Sequence, residues 1–286
     1  MKVRFLGTAA GGGAPQWNCG CAVCDRARTA GVSRTQDCLA VSGDGSAWYL
    51  VNASPDLRTQ LLASPELRPP PGTRDTPIRG VLFTSAELDH TLGLLSLRET
   101  GGIDVYATAW VHHALKHAFP VEAALAGYTE VREHRVRGGE PFELAGGLRV
   151  VPTVLSDKRP RYAKRMKPGE WVCAYRFESA AGVFVYAPGL SRWSAEFGKA
   201  IAGADVVALD GTFLTEDEMG PARPASGMGH LAIRDVLPLL AAEPGPRYLF
   251  THLNNTNPLV LPGAPELAEL AAVNAAVAAD GHLLEL

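Results

Sequence analysis

Two sets of residues in this chain have the types and spacing to hold metals. The first begins with Asp89-His90, reached from the apolar run Ile78 to Phe83 through Thr84-Ser85-Ala86-Glu87-Leu88. A strand ending near Phe83 and a helix opening at His90 would place both side chains at the strand's carboxyl end, where clefts of α/β proteins lie. His252 stands in the same situation, directly after Leu249-Phe250-Thr251, and only the fold can bring it to His90. Any one such histidine is equally well explained as a hydrogen-bonded structural residue, so the joint pattern carries the reading. The second set is Cys19, Cys21 and Cys24, spaced too tightly for mutual disulfides of ordinary geometry. Three thiolates on one short loop suit a structural zinc, which needs a fourth donor from elsewhere. A free redox-active thiol cluster is the alternative. Cys38 and Cys173 stand alone and read as buried, reduced core thiols.

Short strands must position these groups. The pattern predicts strands at Lys2 to Leu6, Leu39 to Val41, Ala47 to Val51, Ile78 to Phe83, Ile103 to Tyr106, Leu148 to Val154, Val183 to Ala187, Asp205 to Leu209 and Arg247 to Thr251. Helices are expected at Asp56 to Ala63, His90 to Leu97, Ala109 to Ala118, Trp193 to Ala202, Leu231 to Ala242 and Pro265 to Asp280, the last closing at Gly281. A hairpin-like group of strands followed by alternation with helices fits an α/β sandwich with helices covering two central sheets, taken as a single domain over residues 1–286. The glycine-rich turn Gly7 to Pro15 lacks the Lys-Ser/Thr of a phosphate loop. Lys158 to Lys167 is basic and reads as a surface loop able to cover a pocket.

Composition narrows the partners. With a net charge of -3 and a pI near 6.2, the chain lacks the electrostatic footprint of a nucleic-acid binder. No signal segment or run of 18 apolar residues is present, so a cytoplasmic protein without a membrane span, acting on a small molecule or peptide, is expected.

Thr84 to Gly93 resembles the His-x-His-x-Asp-His signature of metallo-β-lactamase-fold proteins, with Ser85 and Glu87 where the first two histidines would stand. More narrowly, Phe5 to Cys19, Asn52 to Arg58, Glu87 to Leu94 and Thr251 to Pro258 resemble the coenzyme pyrroloquinoline quinone (PQQ) synthesis protein B family. The resemblance implies the αββα sandwich of that superfamily. It also implies that one of two metal sites is dismantled: its third histidine is replaced around Leu155 to Asp157, and no carboxylate stands at Ala187 to Leu190, where the bridging aspartate should fall. Asp89, His90 and His252 remain, the ligand set of non-haem iron(II) oxygenases. Asp210 and His230 match positions where tRNA-processing relatives place an acid and a histidine that cooperate in proton transfer; direct ligation by Asp210 and a structural role stay open. Asn255 matches the fourth donor of a zinc site in related phosphodiesterases.

The activity implied for the family is iron- and dioxygen-dependent hydroxylation of a tyrosine ring in a Glu-Tyr-derived intermediate. Fe(II) at the active site and structural Zn are then the expected metals, and Arg34, Arg58 and Arg176 are candidates for the anionic groups of the substrate. Two other readings remain: a metal-dependent hydrolase, and a carrier assisting transport that binds PQQ itself without catalysis. The oligomeric state, a homodimer included, stays open.

Overall fold

The computed structural model describes residues 1–243 and 245–286. Among them the chain forms fourteen strands: β1 (Lys2–Gly7), β2 (Cys38–Ser42), β3 (Trp48–Val51), β4 (Ile78–Leu82), β5 (Ile103–Thr108), β6 (Val131–Val136), β7 (Phe142–Leu144), β8 (Leu148–Ser156), β9 (Val172–Ser179), β10 (Gly182–Ala187), β11 (Val206–Asp210), β12 (Arg247–Thr251), β13 (Ala275–Val277) and β14 (Leu283–Glu285). They build two seven-stranded sheets, β14-β1-β2-β3-β4-β5-β6 and β13-β12-β11-β10-β9-β8-β7. In each sheet three antiparallel strands (β1 to β3, β8 to β10) lead into three parallel ones (β4 to β6, β11 to β13), with one further strand on the antiparallel edge. The chain is therefore two halves of one plan.

Strand alternation sorts the core into layers. Phe5, Val41, Leu82, Phe177, Phe184, Tyr186 and Leu249 draw residues from both sheets into one cluster and fill the space between them. Their neighbours Val81, Phe83, Val207, Leu209 and Phe250 face outward and meet Leu57, Val111, Leu115, Phe197, Ile201, Val236 and Leu240 of the helices Leu57–Leu62, Ala109–His117, Ala195–Ile201 and Ile233–Ala242. Strands buried on both faces read as continuous apolar runs, which is why β2, β3 and β11 are visible in the sequence. Cys38 and Cys173 are core thiols, and burial pushes both upward, Cys173 to about 12.

The expected helix Pro265 to Asp280 is corrected. Only Leu267–Ala271 is α-helical; Asn274 adopts a left-handed φ of 55°, and the alanines beyond it form β13, paired parallel with β12. His90 to Leu97 also differs, because a short α-turn at Leu88–Thr91 gives way to a 3-10 turn at Leu92–Leu97. There Gly93 packs on Ser54 so closely that a Cβ would lie 2.0 Å from the Ser54 carbonyl oxygen. Cys24 lies in an unanticipated helix, Ala22–Ala30, with Cys21 as its N-cap. Among the described residues no helix is long and apolar enough to cross a membrane.

Candidate metal centre

The carboxyl ends of the parallel strands open into a cavity of about 770 Å³ lined by Asp89, His90, His230 and His252. Asp89 and His90 follow β4, Asp210 ends the corresponding strand β11, and His252 follows β12. Asp89 Oδ2 lies 3.4 Å from His252 Nε2 and 4.0 Å from His90 Nε2. One donor atom from each of the three lies within 4.8 Å of the others. His252 holds its place with a left-handed φ of 58°, a strained backbone of the kind that persists at functional sites.

Hydroxyl groups decide which ring nitrogens are free. His90 Nδ1 shares a hydrogen bond with Ser85 Oγ at 2.7 Å, and His90 Nε2 is buried with no hydrogen-bond partner among the described residues. His252 Nδ1 donates to Thr212 Oγ1 at 2.8 Å, which leaves its Nε2 toward Asp89. Ser85, standing where a histidine is expected, thus anchors the ring that survives. Two imidazoles presenting Nε2 and one carboxylate form a donor set that fits a divalent metal, and an orphaned buried imidazole nitrogen needs such a partner.

Burial holds His90 down at about 4. Burial alone would raise Asp89, but the His90 and His252 rings beside it keep its carboxyl well below the usual range. For His252 burial is outweighed by the hydrogen bond to Asp89 and by the charges of Asp37, Asp89 and Asp210, which lift the imidazole to about 9. The metal-free site therefore keeps a proton between Asp89 and His252 that a metal would displace.

Asp210 and His230 are brought together. His230 Nδ1 donates to Asp210 Oδ2 at 2.6 Å; the same oxygen accepts from Leu190 N at 2.9 Å, while Oδ1 accepts from Thr212 N at 3.0 Å and Thr212 Oγ1 at 2.6 Å. Four donors occupy the carboxylate and orient His230 against it, while one donor atom from each of Asp210, His230 and His252 also lies within 4.8 Å of the others. Burial alone would raise the acid, but the neighbouring His230 outweighs it and leaves the carboxyl below its ordinary value. Burial lowers His230 itself.

Cys19, Cys21 and Cys24 also gather their sulfurs within 4.8 Å. Asn255 is buried beside them, its Nδ2 3.3 Å from Cys24 Sγ; turning the amide over would present Oδ1 instead. The backbone ties this corner to the first centre, since Ala10 N donates to Leu253 O at 2.8 Å and Leu253 N to Thr8 O at 2.9 Å.

Residues 47–253 match a family model described as a Beta-lactamase superfamily domain. The chain is 38% identical to the coenzyme PQQ synthesis protein B of Pseudomonas paraeruginosa, with 100% of each covered, and 40% identical to that of Cupriavidus necator, with 100% of this chain and 99% of the relative covered. It belongs to the coenzyme PQQ synthesis protein B family. The crystal structure of Zn(2+)-bound PqqB from Methylobacterium extorquens is 35% identical, with a TM-score of 0.91 and 100% of both chains covered. A diphosphatase of the PhnP family shares the fold at a TM-score of 0.73 and 24% identity, covering 100% of this chain and 97% of that one. The architecture is thus the metallo-β-lactamase αββα sandwich, and the sites above are this family member's version of it.

The arginines singled out for the substrate are elsewhere. Arg34 is spent on Thr8 Oγ1 at 2.8 Å and Ala278 O at 2.6 Å, Arg176 on Glu178 at 2.6 Å and two carbonyls of the Ala195–Ile201 end, and Arg58 does not line the cavity. Sequence reasoning missed Thr212 and read Lys158 only as part of a basic loop able to cover a pocket, which the cavity lining bears out. The available signals were the hydroxyl two residues after Asp210 and a basic run free of acids.

Proposed function

We propose that this protein acts in PQQ biosynthesis as an iron- and dioxygen-dependent hydroxylase of a tyrosine ring, on a Glu-Tyr-derived intermediate. The observation that carries the reading is the pair of hydroxyl-anchored imidazoles meeting Asp89, alongside Ser85, Glu87 and a carboxylate-free Ala187–Leu190 where a second metal would need ligands. Asp89, His90 and His252 would hold ferrous iron, which would supply dioxygen activation there. The cavity is large enough for a dipeptide-sized ligand. The Lys158 ammonium, 3.3 Å from His230 Nε2, passes a proton to that nitrogen and takes one from the phenol in its place, with Asp210 orienting His230 through Nδ1. The balance is one ring C–H bond and one dioxygen, with two electrons and two protons from an external donor, giving one C–OH and one water.

Anaerobically purified protein, reconstituted with iron, should consume dioxygen in proportion to a hydroxylated Glu-Tyr product when ascorbate is present as electron donor. Zinc-loaded protein should not. Ester or phosphodiester turnover with no dioxygen uptake would favour a hydrolase, and tight binding of PQQ with no turnover would favour a carrier.

A further inference from the structure

The cavity has a charged side that the metal centre does not use. Lys158, Arg159, Arg161 and Lys164 line it, opposed by Glu87 and Asp89. The four cations belong to a stretch, residues 158–167, with six cations and no acid. Among the described residues none of the six forms an ion pair, although Arg4, Lys116, Arg132, Arg149 and Arg234 elsewhere do. Such an excess of positive charge over a partly enclosed space is unfavourable until an anion enters it, and it raises the local concentration of anionic ligands.

The stretch is held in place rather than loose. Tyr162 donates its hydroxyl to Ala86 O, in the turn that carries Asp89, and Arg159 Nη1 donates to Met166 O at 2.7 Å. Lys158 is placed most closely of all. Its stem lies over Gly229, where a Cβ would come within 2.3 Å of Lys158 Cδ, so the glycine leaves the groove in which the stem runs. Its ammonium then reaches 3.3 Å from His230 Nε2. Because His230 gives its Nδ1 proton to Asp210, Nε2 can only accept, and the ammonium donates to it. An ammonium has three donors, so two remain for a ligand beside the metal centre.

We propose that this wall recognises a substrate bearing at least two carboxylates, with Lys158 binding one of them next to the reacting ring and Arg161 binding another. The inference deepens the proposed function, resting on it for the identity of the ring but not for the recognition of the anions.

Binding to the zinc-loaded protein, which does not turn over, separates this from catalysis. Calorimetric titrations would compare the dipeptide Glu-Tyr, its side-chain and C-terminal diamide, and tricarballylate, a tricarboxylate with no ring. The two acids should bind at least tenfold more tightly than the diamide. Lys158→Gln and Arg161→Gln should each weaken the acids about tenfold, as expected for loss of a charged hydrogen bond, and leave the diamide within twofold. High salt should narrow the difference between acid and diamide. The proposal is overturned if the diamide binds as well as the acids, or if both variants bind tricarballylate like the unaltered protein. Tricarballylate binding that depends on Lys158, with no affinity for Glu-Tyr, would uphold the wall and reject the Glu-Tyr substrate.

Discussion

Replacing Thr212 with valine tests whether a hydroxyl sets the metal affinity of this centre. Thr212 Oγ1 has one proton, which it gives to Asp210 Oδ1 at 2.6 Å, and it accepts the Nδ1 proton of His252 at 2.8 Å. Valine keeps the shape and removes both. Metal-free His252 carries a proton on each nitrogen, and it can respond by releasing the one on Nδ1 and keeping the one on Nε2, against Asp89. With metal on Nε2 the remaining proton must sit on Nδ1, buried and without an acceptor. An unsatisfied buried donor costs about 1–3 kcal/mol, a cost the metal-bound state has no way to relieve. The active-site metal should therefore bind roughly 10–100-fold more weakly, the range found when groups that orient metal ligands are removed. Competition against a fluorescent chelator under anaerobic conditions measures this, and Thr212→Ser, which retains the hydroxyl, should stay within about twofold of the unaltered protein by the same argument. Unchanged affinity in Thr212→Val would refute the reasoning. So would an equal loss in Thr212→Ser, because the methyl group and not the hydroxyl would then be responsible.

Two further outcomes follow from the same geometry. His90→Ala or His252→Ala should remove the active-site metal and leave about one zinc per chain at Cys19, Cys21 and Cys24, whereas Cys21→Ala should do the reverse and lower the melting temperature; loss of both metals in every variant would show that the two sites are not separate. The buried Asp37 accepts from Thr251 Oγ1 at 2.8 Å and from the Tyr186 hydroxyl, and burial lifts it to about 6 from an ordinary 3.8. The native state thus holds a proton that the unfolded chain releases above pH ~4. Asp37 should make the metal-free protein lose roughly 2 kcal/mol of stability as pH rises from 4 to 7, a loss absent in Asp37→Asn. Denaturant titrations across that range check it, and a difference between the two proteins that does not change with pH would count against it.

How much of this was legible in the sequence depended on burial and on range. The strands buried on both faces stood out as apolar runs, whereas β6, a half-exposed edge strand reading Val-Arg-Glu-His-Arg-Val, gave no signal of a core. β13 was hidden by composition, because alanine favours helices and only pairing with β12 makes it a strand. Asp89, His90 and His252 were visible as types at strand ends, and the fold gathers them. Thr212 and Lys158 were not, since threonine and lysine are common and acquire meaning only from a distance of about 3 Å to a particular ring nitrogen.

The two-half plan sets two carboxylates at matching points of the cleft and gives them different partners. Asp89 and Asp210 occupy matching places after β4 and on β11, each at the first parallel strand of its half, and both carboxylates point at His252 or its neighbour. The first half keeps its carboxylate free for a metal because its hydroxyl, Ser85, bonds to an imidazole and not to Asp89. In the second half the hydroxyl of Thr212 bonds to the carboxylate itself, and with His230 and two backbone amides it uses up every acceptor position of Asp210. The same pair of residue types thus leaves one carboxylate open beside two imidazoles and the other fully hydrogen-bonded. His252 belongs to both, through Nε2 and Nδ1 respectively, so a change in one half's hydrogen bonding is felt at the other through a single ring.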